Sequence, residues 1–135
     1  MRVYLSVPII ANRDAGRARV MARAILDSGN EVTSPWVLDP MEGGHSPTPN
    51  VFVRDKGGVE TSDVVVADVS KPSTGVGMEV MAAHSLGKRV IVVIAKGSVV
   101  SGMVLQMEPK QTIEFGSEEQ LYNDLLRALR SVKPS

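Results

Sequence analysis

The sequence predicts an α/β protein with a flavodoxin-like (Rossmann-like), doubly wound, five-stranded parallel sheet, in the strand order 2-1-3-4-5 and with helices on both faces. Residues 63–69 and 90–95 are β-branched, almost wholly apolar runs, which is typical of strands buried on both faces. Between them lies a polar, glycine-containing loop, followed by an apolar-periodic helix that ends at Gly87. This strand–loop–helix–strand unit implies a right-handed crossover between parallel strands.

The first part of the chain predicts two strands joined by a helix. Residues 3–7 form the first strand, which Pro8 ends, and residues 15–28 form a helix with one apolar face. Residues 31–33 predict a brief second strand. Residues 34–50 are rich in proline and glycine, so we expect a long loop with little regular structure, of the kind that is usually functional or mobile.

The rest of the chain completes the alternation of strands and helices. Residues 51–62 contain two adjacent glycines and allow either a weakened helix or an extended segment with a turn; the alternation favours the helix. Residues 97–106 predict a loop leading into a short helix, and residues 111–115 predict the fifth strand. The last helix follows Ser117 and carries leucines that we expect in the core: Leu121, Leu125, Leu126 and Leu129.

Length and composition favour one soluble domain spanning residues 1–135. The formal charge is zero, which predicts no nucleic-acid partner and no attraction to anionic membranes. No apolar run approaches the ~20 residues that a membrane span needs. The first ten residues lack the pattern of a signal peptide, so a cytoplasmic location is expected.

Several kinds of chemistry are excluded by residues that the chain lacks. It has no cysteine, which excludes disulfides, thiol catalysis and thiolate metal sites. His45 and His84 have no partner at metal-ligand spacing, so no metal is expected. The loop after the first strand, VPIIANRD, is not a dinucleotide or flavin phosphate loop, and no P-loop motif occurs, so no cofactor is expected.

The loop after the strand at residues 63–69 is the strongest candidate for a binding site. Ser73 or Thr74 can cap the following helix, while Gly75 and Gly77 let the backbone approach a ligand closely. The free N–H groups at a helix N-terminus bind anions, and Glu79 stands one turn further along. The alternative is a plain crossover loop in which Glu79 only complements the helix dipole.

The only tryptophan, Trp36, lies just beyond the second predicted strand. Two interpretations are open for it. It fills the edge of the core, or it forms a wall or stacking face for a flat ligand.

Residues 63–93 resemble the core of the nucleoside 2-deoxyribosyltransferase superfamily, and most closely its branch of 2′-deoxynucleoside 5′-phosphate N-hydrolases. The specific motif is PSxGVGxE, which occurs in full at residues 72–79. A weaker likeness covers the whole chain. It includes Tyr4 in the opening strand, Asp55 eight residues before Asp63, and a VxSxM-like element at residues 99–103.

The resemblance implies a role for each matching residue. Glu79 matches the nucleophile that attacks the anomeric carbon of deoxyribose, Asp55 a residue that assists proton transfer to and from the base, and Tyr4 a tyrosine that orients the nucleophile. Ser73 matches a phosphate contact, and Ser101 matches a phosphate-contacting serine supplied by a neighbouring subunit, which implies a homodimer. The remaining expected substrate or phosphate contacts are Pro8, Ile9, Ile10, Arg13, Gly75, Gly77, Gly102 and Met103, with Trp36 in the base pocket.

The chain departs from the hydrolase branch in the loop after the first strand. Pro8 and Ile10 occupy places where hydrolase relatives carry a serine and an arginine, and Arg13 is a candidate to replace the lost charge. The two serines Ser73 and Ser101 favour a phosphorylated substrate. The expected reaction is therefore hydrolysis of deoxynucleoside monophosphates. The alternatives are transfer of deoxyribose between bases, a non-catalytic nucleotide-binding module, or a flavin-binding protein of the flavodoxin type.

Overall fold

The structure is a computed structural model that describes residues 1–43 and 49–132. Five strands form one sheet in the order β2-β1-β3-β4-β5, and every neighbouring pair is parallel. This confirms the predicted fold class and strand order. The strands are β1 (Arg2–Ser6), β2 (Glu31–Val32), β3 (Val64–Asp68), β4 (Arg89–Ala95) and β5 (Gln111–Phe115).

Five α-helices connect and cover these strands, and hydroxyl or carboxylate side chains cap four of them. Asp14, Ser73, Ser101 and Ser117 each accept a hydrogen bond from a backbone N–H of the first turn that follows. The helices are α1 (Ala15–Asp27), α2 (Val51–Glu60), α3 (Thr74–Ser85), α4 (Gly102–Gln106) and α5 (Glu118–Ser131).

Residues 34–50 and 51–62 together connect β2 to β3. Residues 51–62 do contain a helix, α2, in spite of its two glycines. Residues 34–50 were expected to be a loop with little regular structure, and within the described part of this segment Pro35–Leu38 forms a short 3₁₀ turn. A proline at the first position favours such a turn because its φ is already helical. His45 and the chain end at residues 133–135 lie outside the described residues.

The two faces of the sheet are covered by different helices. Along β1, Val3 and Leu5 point to the face covered by α1 and α5, and Tyr4 points to the face covered by α2 and α3. On the first face Leu121, Leu125 and Leu129 are buried and Leu126 is partly buried, which confirms the predicted core of the last helix. Within the described residues, no helix is long and apolar enough to cross a membrane. The cytoplasmic location stays a prediction.

Candidate active site

A cavity of about 1430 Å³ opens at the carboxyl ends of β1 and β3. Parallel sheets bind their ligands at this edge, because the loops that leave the strands meet there. One wall is the loop at residues 71–77 with the first turn of α3, and another is Trp36 with α2. The segment at residues 99–104 forms a third wall.

The carboxylate of Glu79 is held at both of its oxygens. The Tyr4 hydroxyl donates to Oε2, and the Ser6 hydroxyl donates to Oε1 at 2.9 Å. Both donors are only 1% exposed. Since they lie two residues apart on β1, the pleat turns both side chains to the same face of the sheet. Strand β1 therefore fixes the orientation of a carboxylate that α3 supplies.

The surroundings of Glu79 favour its protonated form more than water does. Burial raises the pKa of Glu79 to about 7, against a partial lowering by the hydrogen bonds from Tyr4 and Ser6, and the charge of Asp55 raises it further. Burial and the neighbouring Glu79 likewise raise the pKa of Tyr4 far above its ordinary value, so Tyr4 remains a hydrogen-bond donor. A carboxylate with a pKa near neutrality can be ionised at little cost when a substrate binds.

Helix α2 comes close to Tyr4 because Gly58 has no side chain. A Cβ at Gly58 would lie 2.7 Å from Cε2 of Tyr4 and 3.2 Å from Cη2 of Trp36. Asp55 stands one turn earlier on α2, and residues three apart share a helix face. The close approach at Gly58 thus brings Asp55 into the wall of the cavity that contains Glu79.

Arg54 links three segments around Trp36. Its guanidinium lies 4.3 Å from the centroid of the indole and forms ion pairs with Glu42 at 2.5 Å and with Asp55 at 2.8 Å. The ring of Tyr4 packs against the same indole in a T-shaped arrangement, with a centroid distance of 6.2 Å. Trp36 is therefore part of the cavity wall, and Arg54 covers one face of its ring.

The far end of the cavity is suited to an anion. Ser73 caps α3 by accepting from the Val76 N–H at 3.4 Å, and the N–H groups of Thr74 and Gly75 have no acceptor among the described residues. Lys71, which belongs to the same loop as Ser73, and Ser101 also line the cavity. Ser101 thus faces the same cavity as Ser73 within one chain.

The structure brings most of the expected site residues together but leaves some out. Pro8, Arg13 and Gly102 lie outside the lining of the cavity. The guanidinium of Arg13 donates to the carbonyl oxygens of Glu42, Val37 and Asp39, so it anchors the loop at residues 37–42. This position does not favour Arg13 as a replacement for the missing loop arginine. The expected residues that do line the cavity are Tyr4, Ile9, Ile10, Trp36, Asp55, Ser73, Gly75, Gly77, Glu79, Ser101 and Met103.

Four polar or charged residues described above, namely Ser6, Glu42, Arg54 and Lys71, were not predicted from the sequence. Ser6 could have been found, because a serine two residues after Tyr4 in an apolar strand shares its face. Lys71 could also have been found, because it belongs to the same loop as Ser73. Arg54 and Glu42 gave no such signal, since their pairing joins a helix to a proline-rich loop.

The comparisons with known proteins identify the family of the chain. The profile of the family described as Nucleoside 2-deoxyribosyltransferase matches residues 3–123. The chain belongs to this family. The match confirms the resemblance recognised in the sequence and, with it, membership of a group of enzymes that act on N-glycosidic bonds.

Two relatives carry names that assign them provisionally to the 2′-deoxynucleoside 5′-phosphate N-hydrolases. The protein of Thermofilum pendens is 38% identical over 95 residues, which cover 67% of this chain and 66% of that relative. The protein of Methanococcoides burtonii is 35% identical over 109 residues, which cover 78% of this chain and 89% of that relative.

Two solved structures share the fold at low sequence identity. A CMP N-glycosidase of Clostridium botulinum superposes with a TM-score of 0.69 at 19% identity, covering 93% of this chain and 98% of that one. A 2-deoxyribosyltransferase of Bacillus psychrosaccharolyticus gives a TM-score of 0.71 at 20% identity, covering 100% and 99%. At these identities the likeness concerns the fold alone.

Proposed function

We propose that the protein hydrolyses the N-glycosidic bond of 2′-deoxynucleoside 5′-monophosphates and releases the free base and 2-deoxyribose 5-phosphate. The observation that carries this proposal is the carboxylate of Glu79, which is oriented by Tyr4 and Ser6 at the wall of a cavity. The names of the two relatives support the same reaction.

In the proposed reaction Glu79 acts as the nucleophile. Its carboxylate oxygen forms a bond to C1′ of the deoxyribose while the bond from C1′ to the base breaks, and Asp55 assists protonation of the departing base. Water then attacks C1′ of the glycosyl ester and restores the carboxylate, with its proton taken up by the group that served the base. The transition states resemble an oxocarbenium ion, which forms more readily when the 2′-hydroxyl is missing.

The 5′-phosphate is assigned to the anion-binding end of the cavity. The Thr74 and Gly75 N–H groups and the Ser73 hydroxyl offer neutral donors, and Lys71 supplies a positive charge. Holding the phosphate there fixes the sugar relative to Glu79, which converts binding energy into orientation. The preference for a monophosphate over a nucleoside follows from this arrangement.

The proposal includes a homodimer. Apolar side chains lie exposed beside the mouth of the cavity on α3 and around α4: Met78 is 56% exposed, Met81 53%, Val99 90% and Met103 79%. Such a cluster is suited to burial against a second copy of the chain. Ser101 adjoins this surface, so a partner could exchange that residue between the two sites.

The experiment is a measurement of base release by chromatography from deoxynucleoside monophosphates, the corresponding nucleosides and ribonucleotides. Glu79→Gln keeps the size of the side chain and should lower the rate on the order of 1,000-fold or more. Glu119→Gln, an exposed carboxylate on α5, is the matched control and should leave the rate unchanged. Exchange of bases in the presence of a second free base would indicate a transferase instead. Binding without cleavage would indicate a nucleotide-binding module.

The same variant tests whether the sites are shared. Glu79→Gln and Ser101→Ala subunits are mixed and allowed to exchange. If each site takes Ser101 from its neighbour, the mixed dimer contains one complete site and regains activity. If Ser101 serves its own chain, no mixed dimer contains a complete site and activity stays low.

A further inference from the structure

Arg54 is a charged residue in the cavity wall with two acidic partners. It is 23% exposed at the side chain, Glu42 is 11% exposed and Asp55 is 26% exposed. Nη2 pairs with Oε1 of Glu42, and Nε pairs with Oδ1 of Asp55. Both pairs are also hydrogen bonds, so the guanidinium is fixed in its plane as well as in its position.

The three partners of Arg54 belong to different parts of the chain. Asp55 is on α2, Trp36 is in the 3₁₀ turn, and Glu42 lies in the loop that follows that turn. The loop is itself anchored, because Arg13 donates to the carbonyl oxygens of Asp39 and Glu42 within it. Arg54 therefore connects a braced loop to the helix that carries Asp55.

The planar guanidinium suits this position better than an ammonium group would. It lies over the indole of Trp36 while its N–H groups donate to two carboxylates. Without it, the ion pairs to Glu42 and to Asp55 would both be lost, and breaking a partly buried ion pair by removing one partner is unfavourable. Asp55 would then be free to change its rotamer.

We propose that Arg54 is a positioning residue of the active site, which holds the carboxylate of Asp55 and the ring of Trp36 in a fixed arrangement relative to Glu79. The inference deepens the proposed function and rests on it, because the role of Asp55 in proton transfer belongs to that reaction. Arg54 itself forms no part of the reacting groups.

The charge of Arg54 has a second effect on the site. Among the residues that the structure describes, the polar and charged groups that shift the pKa of Glu79 are Tyr4 and Ser6 from β1 and Arg54 and Asp55 from α2. Arg54 is the cation among these four groups and opposes the effect of Asp55 on that pKa. Its removal should move that pKa above its present value of about 7, so less of the nucleophile is ionised at neutral pH.

The test compares Arg54→Met, Arg54→Lys and the control Arg127→Met. Arg127 is an exposed arginine of α5 that also pairs with an acidic neighbour, Asp124. For Arg54→Met we expect kcat to fall about 100-fold with KM little changed, because a misplaced group slows the reaction more than it weakens binding. The acid limb of the pH profile should move to higher pH. Arg54→Lys keeps the positive charge, so the acid limb of its pH profile should stay at the wild-type pH while kcat still falls.

Trp36 gives a readout that does not depend on activity. It is the only tryptophan, so its fluorescence reports this wall of the cavity alone. Arg54→Met should change the emission and make the indole more accessible to acrylamide, while Arg127→Met should not. Unchanged emission, or kcat and a pH profile like those of the wild type, would overturn the proposal. If the wild type cleaves no nucleotide but the emission changes as expected, the positioning of Trp36 stands and the proposed reaction fails.

Discussion

The two faces of the sheet differ in what fills them. The face under α1 and α5 is packed with large aliphatic side chains, among them Leu5, Ile25 and Leu125. The face under α2 and α3 is built mainly from valine and alanine and also contains Tyr4, whose hydroxyl reaches Glu79. Small side chains leave room for helices to approach closely and for polar groups to meet. The first face therefore stabilises the fold, and the second face accommodates the polar groups of the candidate active site.

The largest effect on stability is expected on the aliphatic face. Leu125→Ala removes a fully buried side chain from the contact between α5 and the sheet, and should lower the free energy of unfolding by about 3 kcal/mol. The rate per folded molecule should not change, since no residue of the cavity is touched. Urea denaturation and base-release assays on the same sample measure the two effects. A large loss of rate in folded protein would contradict the separation of the two faces.

A smaller effect on stability, with a loss of activity, is expected at the glycine pair of α2. Gly58→Ala places a methyl group against the rings of Tyr4 and Trp36, which should cost about 1–3 kcal/mol and displace the helix that carries Asp55. Gly57→Ala is the matched control, because a Cβ there meets no atom within 4 Å. It should stabilise the helix by about 0.5–1 kcal/mol. Equal effects of the two substitutions would show that the contact with Tyr4 does not position α2.

The third effect, no larger than the second, is a dependence of stability on pH that comes from Glu79. Its pKa is about 7 in the folded chain against an ordinary 4.5, so between these values the folded state binds the proton more strongly than the unfolded state. Stability from this group is present below about 4.5 and is lost as the pH rises to about 7. Relative to Glu79→Gln, the wild type should lose about 1–3 kcal/mol between pH 5 and pH 8. If the curves of unfolding free energy against pH for the wild type and for Glu79→Gln are parallel, the raised pKa of Glu79 is refuted.

The sequence was sufficient for the sheet and for the helix of the PSxGVGxE motif. The buried strands are marked by β-branched runs, and Ser73 marks the start of α3. The sequence alone could not decide whether residues 51–62 form a helix or an extended segment, because a glycine pair is unfavourable in a helix unless something packs on it. What packs there is the ring of Tyr4, a residue some fifty positions away. Local propensity carries no information about a contact of that range.

Charged side chains were harder to place than apolar ones for the same reason. Arg13 was a candidate phosphate ligand because of its position in the loop, but its hydrogen bonds go to backbone carbonyl groups of a distant segment. Arg54 was not predicted as a site residue, although it is next to Asp55 in the sequence and its guanidinium lies over the ring of Trp36. A long, flexible cation can reach many partners, and only the folded chain selects among them.

The hydrogen bonds to both oxygens of Glu79 restrict how a ligand can approach it. Each oxygen already uses one lone pair, toward Tyr4 on one side and Ser6 on the other. The carboxylate plane therefore cannot turn to follow a ligand. In the proposed reaction, where Glu79 is the nucleophile, only its remaining lone pairs would be available for attack. The sugar would then have to present one face of its anomeric carbon to them, and the proposed reaction would have a defined stereochemical course.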